Sequence, residues 1–225
     1  MFARSMSATF VPSRLAVWCL TVSAASLLGL FPAQAWAGAP IEQVKGSIEQ
    51  VVRVLQDPNL KQESMAEARR AAIRKQAEGL FDFTETARRA LGRHWQELNE
   101  SQQREFASLF TDLLERSYTN RIEQYSGERI VYSGDSIDGE TATVRTKFIT
   151  KQGTEIPVDY RLLRRGDRWL VYDVFVEGVS LVSNYRTQFD RIMRTASYPE
   201  LVRRMRANHA EFAGPGTQPA RPPRS

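Results

Sequence analysis

The sequence has few of the side chains that carry covalent or metal chemistry. It contains one cysteine, Cys19, and two histidines, His94 and His209, and the histidines do not show the close spacing of metal ligands. It also has no glycine-rich phosphate loop, no G-x-S-x-G motif and no two-histidine zinc motif. These absences exclude the usual sequence signatures of metalloenzymes, nucleotide-binding enzymes and serine hydrolases. We therefore predict no metal and no cofactor.

The sequence also lacks a strong excess of charge of either sign. Its 31 basic residues against 26 acidic residues give a formal charge of +5. So small a surplus, spread over mixed signs, is typical of a solvated surface, and no nucleic-acid partner is predicted. Six arginines lie on the last two predicted helices, where they either dock an acidic partner or an anionic head group or form a solvated face. They are Arg186, Arg191, Arg194, Arg203, Arg204 and Arg206.

The first residues follow the plan of a secretory signal peptide. Arg4 and Arg14 are followed by an uncharged, mostly apolar run, Leu15–Phe31, and then by small residues at the spacing of a cleavage site. We predict cleavage after Ala37, with Ala35 as the alternative position, and hence a periplasmic protein. An uncleaved membrane anchor is the competing interpretation, because the apolar run is close to the shortest length that spans a bilayer.

The predicted signal peptide, residues 1–37, contains the one cysteine. Since Trp18 rather than a small residue precedes Cys19, lipidation is not predicted, and the mature chain has no disulfide. Residues 38–209 form the predicted domain. Residues 210–225 are rich in proline and glycine, and we predict a disordered tail there.

The apolar pattern of the domain changes from a helical period to a strand period and back. Spacings of three and four predict helices at 41–55, 62–78, 84–91, 100–125, 181–195 and 199–208. Asn99 and Gln102 predict a capping box on the fourth helix, and Ser180 predicts a cap on the fifth. Alternation between turn signals predicts strands at 129–137, 141–150, 154–164 and 168–177. This order predicts an α+β fold with a four-stranded antiparallel sheet between N- and C-terminal helices.

Two apolar surfaces are candidates for a binding site. The fourth helix carries a long stripe, and we expect it to cover the inner face of the sheet. Because a curved sheet closed by helices can enclose a hollow, these residues either line a cavity or form ordinary core, and periodicity does not separate the two. The candidates are Phe110, Leu114 and Tyr118 on the helix, and Phe148, Val158, Tyr160 and Val174 on the sheet.

One acidic residue, Asp173, interrupts the most apolar strand. A buried carboxylate can act as a general base with a raised pKa, and this would make the protein an enzyme acting on a small apolar substrate. The alternative is a structural aspartate held by hydrogen bonds. Since no histidine lies in the sheet region, the structural interpretation is favoured.

The stretch from Trp169 to Ser180 carries the pattern W-x-x-Y-D-x-x-x-E-G-V-S. It closely resembles the signature of the MlaC family, also called toluene-tolerance or Ttg2-type periplasmic proteins. The stretch from Leu91 to Tyr125, with its Gln-Arg-Glu-Phe quartet at 103–106, is similar to the long helix of that family and the segment before it. The resemblance covers roughly residues 41–208.

The resemblance implies an NTF2-like cone in which the four-stranded sheet and its helices enclose an apolar pocket. It implies a phospholipid carrier, not an enzyme, that moves lipid between an outer-membrane lipoprotein complex and the substrate-capture subunit of an inner-membrane ABC transporter. Val179, where the last strand ends, is then expected at the mouth of the pocket beside the candidate residues above. A related subfamily is associated with hopanoid lipids, so a hopanoid-like ligand is the alternative.

Overall fold

The structure, a computed structural model, describes residues 39–207 and Phe212. The predicted signal peptide lies outside the described residues. Within this part of the chain the predicted helices are all found, with ends shifted by a few residues, and short 3-10 turns at Glu63–Met65 and Gly92–Glu97 precede α2 and follow α3. The helices are α1 Pro40–Gln56, α2 Ala66–Leu80, α3 Phe83–Leu91, α4 Glu100–Glu123, α5 Leu181–Thr195 and α6 Tyr198–Ala207. None of these helices is both long enough and apolar enough to cross a bilayer.

The sheet is antiparallel and its strands follow one another in chain order. The strands are β1 Arg129–Asp138, β2 Thr141–Ile149, β3 Glu155–Arg165, β4 Arg168–Val176 and β5 Val179–Ser180. The prediction of four strands is therefore short by one. The missing strand has only two residues, and it forms because the chain reverses at Glu177 and Gly178, with φ of 51° and 80°. A glutamate rarely adopts this left-handed conformation, so local sequence does not signal the turn.

One apolar cluster lies between the sheet and the first two helices. Val44 of α1 and Leu80 of α2 pack against the inner face of β2, β3 and β4. Helix α1 is also hydrogen-bonded to β4. The Gln43 side-chain amide accepts from the backbone N–H of Trp169 and donates to its backbone C=O. We call this the sheet cluster. Its buried members are Val44, Leu80, Ala142, Val144, Tyr160, Leu162, Trp169 and Val171.

A second apolar cluster is built almost entirely from α3, α4, α5 and α6, and we call it the helical cluster. Its centre is a group of aromatic rings in which Phe110 contacts Tyr185 at a centroid distance of 5.0 Å and Phe189 at 5.4 Å. The expectation that the stripe of α4 covers the sheet is wrong for the first half of the helix, which packs against other helices instead. The predicted disordered tail lies outside the described residues except for Phe212, which is buried against Phe189.

Candidate functional site

A cavity of about 760 Å³ lies between the inner face of the sheet and helices α1, α2 and α4. This volume falls within the range of pockets that bury small apolar ligands, about 300–1,000 Å³. Most of its wall is aliphatic or aromatic. The apolar wall includes Ile48, Val51, Val52 and Leu55 of α1, Ile73 and Leu80 of α2, Leu114, Tyr118 and Ile122 of α4, and Ile130, Phe148, Ile156, Val158, Tyr160, Val174 and Val176 of the sheet.

Helix α1 and strand β2 both extend beyond the sheet cluster, and the parts that extend beyond it line the cavity. Val44 in the first half of α1 is fully buried in the sheet cluster, whereas Ile48, Val51 and Leu55 farther along the helix are only partly buried and face the hollow. Strand β2 repeats the pattern, since Val144 is fully buried and Phe148 is not. An apolar side chain that is half exposed in the folded protein leaves apolar surface for a ligand to cover.

Helix α4 divides its apolar stripe between the helical cluster and the cavity. Phe106 and Phe110 belong to the cluster, while Leu114, Tyr118 and Ile122 line the cavity. These positions are four residues apart, and each step of four advances about 40° around the helix axis. Over the four steps the row turns by about 160°. The row therefore begins on the side of α5 and ends on the side of the sheet.

Six of the eight residues predicted for the site line this cavity. They are Leu114, Tyr118, Phe148, Val158, Tyr160 and Val174. Phe110 does not, because the turning row of α4 places it in the helical cluster, where it is 1% exposed. Val179 does not either, because the left-handed turn places it opposite Val176 at the sheet edge, where it is 48% exposed. The lipid-binding roles of the eight residues stay predictions.

The sequence analysis missed the contribution of the first two helices. The apolar positions of α1 were recognised as a helix signal but were not assigned to the site, although Ile48, Val51 and Leu55 form one wall of it. The available signal was the regular stripe on α1, which continues for about three further turns after Val44. On α2 the apolar lining residues Ile73 and Leu80 stand among charged residues, and no comparable stripe marks them.

The polar atoms of the inner wall do not add charge to the cavity. Burial raises the pKa of both Tyr118 and Tyr160 well above the ordinary tyrosine value, so both hydroxyls stay neutral. The Thr146 hydroxyl donates a hydrogen bond of 2.7 Å to the backbone C=O of Val158. The two tyrosines therefore add no charge to the cavity at physiological pH.

Asp173 borders the cavity and holds the start of α5. Its Oδ1 accepts hydrogen bonds from the backbone N–H groups of Val174 at 2.9 Å and Val182 at 3.0 Å, and its Oδ2 accepts one from the Ser180 hydroxyl at 2.6 Å. The predicted cap is confirmed, since the Ser180 Oγ accepts from the backbone N–H of Ser183. Burial raises the pKa of Asp173, and the three donors oppose that rise. Both carboxylate oxygens are occupied, as the structural interpretation of this residue requires.

The cavity meets the surface along the junction of α2 and the end of α4. Four lining residues are exposed, and we call them the rim: Arg74, Arg121, Ile122 and Gln124. Ion pairs bridge this junction, because Arg69 and Arg70 both contact Glu123, at 3.0 and 3.1 Å, and Arg74 contacts Asp112 and Glu115. The two helices belong to different apolar clusters. We call the ion pairs between α2 and α4 the ionic seam.

Residues 39–207 and Phe212 contain no group of three or more His, Cys, Asp or Glu side chains placed to hold a metal ion. His94 lies outside the cavity, where its ring nitrogens contact Glu97 and Asp190, both at 3.1 Å.

Several arginines of α5 and α6 form ion pairs with acidic residues of the same chain, and these pairs lower the net charge of that face. The pairs are Arg194 with Asp190, Arg203 and Arg204 with Glu200, and Arg206 with Glu105.

The sequence model described as MlaC protein matches residues 45–207, which reach from α1 to the end of α6. The chain belongs to the MlaC family. The MlaC-like pattern from Trp169 to Ser180 corresponds to β4, the left-handed turn at Glu177 and Gly178, and the cap of α5. Asp173 and Ser180 supply that cap, so the pattern encodes how the sheet joins α5.

Two curated relatives and one solved structure resemble this MlaC-family chain. The toluene tolerance protein ttg2D of Pseudomonas putida is 31% identical over 94 residues, which span 41% of this chain and 44% of that protein. The intermembrane phospholipid transport system binding protein MlaC of Haemophilus influenzae is 21% identical over 164 residues, 71% of this chain and 73% of that protein. The match to the first relative thus spans less than half of its length.

The solved structure is a phospholipid-binding protein from Ralstonia solanacearum in complex with a phospholipid. It superimposes with a TM-score of 0.68 at 24% sequence identity and covers 77% of this chain and 98% of that chain. This likeness shows the fold. The predicted MlaC-like α+β architecture, a curved antiparallel sheet wrapped by helices, is therefore confirmed, with five strands in place of four.

Proposed function

We propose that this chain is a carrier that holds the acyl chains of a phospholipid in the cavity between α1, α2, α4 and the sheet. The observation that carries the proposal is the cavity of about 760 Å³ with a mostly apolar lining. Two relatives support it by their names, since one is the binding protein of a phospholipid transport system and the other was solved with a phospholipid.

The energetics of the lipid explain why such a wall is sufficient. Exposing an acyl chain to water costs about 0.8 kcal/mol per methylene, so a long chain costs on the order of 10 kcal/mol. A carrier between two membranes has to replace the bilayer environment along the whole chain. Apolar surface of the right volume does this without directional contacts, and the half-buried lining of α1 and β2 becomes covered in return.

The proposal includes a place and a route. The chain is secreted by the signal peptide at 1–37 into the periplasm, where it receives and delivers lipid between an outer-membrane lipoprotein complex and the substrate-capture subunit of an inner-membrane ABC transporter. The mass of the protein purified from cells tests the first step. We expect a mature chain that begins at Gly38, and an intact N-terminus would instead support a membrane-anchored lipid-binding protein.

The carrier function is tested by native mass spectrometry of protein purified without detergent, followed by identification of any bound lipid. We expect the wild-type chain to carry phospholipid. Ile156→Trp and Val52→Trp fill the cavity from opposite walls, and we expect both to lose most of the lipid. Ile137→Trp is the matched control, since Ile137 is 55% exposed on β1 outside the lining, and we expect this variant to keep its lipid.

A folded wild-type protein that carries no lipid and takes none from vesicles would overturn the carrier function. Circular dichroism and thermal unfolding of each tryptophan variant separate loss of lipid from loss of fold. If both filled variants are folded and still carry as much lipid as the control, the lipid lies elsewhere on the protein and the cavity assignment is wrong.

A further inference from the structure

The charged residues that border the cavity are almost all neutralised or occupied by the protein itself. Arg74 pairs with Glu115 across the ionic seam. The carboxylate of Glu128 accepts hydrogen bonds from the backbone N–H of Ser126 at 2.8 Å and from its hydroxyl at 2.9 Å. Asp173 accepts the three hydrogen bonds that fix the start of α5. These groups are already engaged in the fold, so none of them is set aside for a ligand.

Arg121 is the exception at the rim. It lies in the last turn of α4, it lines the cavity and its side chain is exposed. Among the described residues no carboxylate forms an ion pair with its guanidinium. The nearest acid in sequence, Glu123, is already held by two arginines of α2.

The surroundings of Arg121 are those of a boundary between an apolar wall and water. Its neighbour Ile122 also lines the cavity and is 37% exposed, and Tyr125 lines it one turn farther on. Burial raises the pKa of the Tyr118 hydroxyl, and the positive charge of Arg121 acts on the same hydroxyl in the opposite direction. Arg121 also follows Tyr118 by three residues on α4, and residues at this spacing are neighbours on a helix surface. Both line the cavity.

We propose that Arg121 binds the phosphate of the lipid head group and thereby selects phosphate-bearing lipids. The proposal rests on the carrier function, because only a lipid whose tails fill the cavity places its head group at the rim. A guanidinium offers several N–H donors in a planar fork that matches two phosphate oxygens at once. A lipid with the same tails and no phosphate gains the apolar contacts but not this contact.

The test is a competition between two lipids that differ only in the head group. Delipidated protein is incubated with vesicles that contain phosphatidylethanolamine and diacylglycerol of identical acyl chains, and the bound lipids are counted by native mass spectrometry. We expect the wild-type chain to enrich the phospholipid, and Arg121→Ala to reduce this enrichment roughly three- to tenfold with total lipid unchanged. Arg121→Lys, which keeps the charge without the fork, is expected to be intermediate.

Arg116→Ala is the matched control. It removes the same charge from the same helix, but Arg116 is exposed and is not among the cavity-lining residues, so we expect full enrichment. An excess of inorganic phosphate is expected to leave the wild-type enrichment unchanged. If inorganic phosphate abolishes it, the site binds free phosphate and the head-group assignment is wrong.

The outcomes separate this proposal from the carrier function. Wild-type protein that takes both lipids in the vesicle ratio, or Arg121→Ala that keeps the full enrichment, overturns the head-group site and leaves the carrier function standing. Wild-type protein that takes neither lipid overturns both. Repeating the competition with a hopanoid that has no phosphate is expected to favour the phospholipid, and the opposite preference would also overturn the site.

Discussion

The helical cluster and the cavity wall are built from the same kinds of residue, yet one is solid and the other is hollow. In the cluster each ring contacts several others, as Phe189 does with Phe106, Phe110, Tyr185 and Phe212 at centroid distances of 5.4 to 5.8 Å. In the wall, Phe148 and its neighbours face open space and stay half exposed. The difference lies in whether a second element supplies a partner surface.

The comparison also shows how a fold can keep stability and binding in separate places. Helices α3, α5 and α6 close over the first half of α4, and the sheet cluster closes over the first half of α1. The second halves of α1 and α4 then both line the cavity. The first halves of α1 and α4 are fixed by close packing, and they hold the second halves in position. The cavity wall therefore does not need to pack against itself.

Removing one phenylalanine from each region is expected to give the largest contrast. Phe110→Ala creates a void inside a packed cluster and should lower the free energy of unfolding by about 3–5 kcal/mol. Phe148→Ala enlarges a space that is already open, and we expect a loss of about 1 kcal/mol. Urea unfolding of the lipid-free variants measures both. Equal losses would mean that the cavity is filled by protein in solution and that the contrast between the two regions is wrong.

The sequence predicted what depends on local periodicity and local capping. Six helices, four strands, the capping box of Asn99 and Gln102 and the cap by Ser180 are all present, because each follows from residues a few positions apart. The α+β class followed from their order. The family resemblance then supplied the cone and its pocket, which no periodicity of the chain contains.

The sequence did not predict which surface each stripe meets. Phe110 lies in the helical cluster, Leu114 packs against that cluster and also lines the cavity, and Tyr118 lines the cavity. The turn of about 40° between successive positions of this row produces the change. The sequence also did not predict β5, because the turn before it places Glu177 in a conformation that glutamate rarely adopts. Both features depend on tertiary contacts, which override local preference. The same turn places Val179 at the sheet edge and outside the cavity lining.

Asp173 connects the two regions, and its replacement should have an intermediate effect. Asp173→Ala leaves two backbone N–H groups and the Ser180 hydroxyl without their acceptor, and we expect a loss of about 2 kcal/mol in urea unfolding. Asp173→Asn keeps one oxygen for the two N–H groups and should lose less than half of that. If Asp173 were instead a general base, Asp173→Asn would abolish a turnover while leaving stability unchanged.

The difference in stability between wild type and Asp173→Asn should depend on pH, because the pKa of Asp173 is raised. Burial, opposed by the hydrogen bonds, makes the folded state bind a proton at a higher pH than the unfolded state does. The cost of the buried charge is therefore present above the raised pKa and disappears as the pH falls through it. We expect wild type to gain stability relative to Asp173→Asn when the pH is lowered from 7 to about 4. An unchanged difference would contradict this assignment.

The ionic seam is expected to give a small effect on stability but a visible effect on lipid exchange. Glu123→Gln weakens the contacts with Arg69 and Arg70 at the edge of the cavity mouth. Glu123 and Arg69 are mostly buried, with 13% and 14% of their side chains exposed, but the glutamine amide can still accept hydrogen bonds from the arginines. We therefore expect a loss of about 1 kcal/mol in thermal unfolding and a roughly two- to threefold faster transfer of bound lipid to acceptor vesicles. Glu200→Gln is the control, because it removes an arginine-paired carboxylate from α6, away from the cavity.

The effect of salt and pH on the rate of lipid transfer shows whether the ionic seam keeps the cavity mouth closed. Added salt screens mainly the contact of the half-exposed Arg70 with Glu123, so it should accelerate transfer in wild type more than in Glu123→Gln. Burial raises the pKa of Glu123, but hydrogen bonds from Arg70 and Arg69 outweigh it and the pKa lies below the ordinary value. The contacts are thus complete above the ordinary glutamate range and are lost as the pH falls through the lowered pKa. Hydrogen bonds from Arg203 and Arg204 hold the pKa of Glu200 at about 2, so the control pairs persist over that change. Transfer that responds equally to Glu123→Gln and Glu200→Gln would show that the seam does not control the mouth.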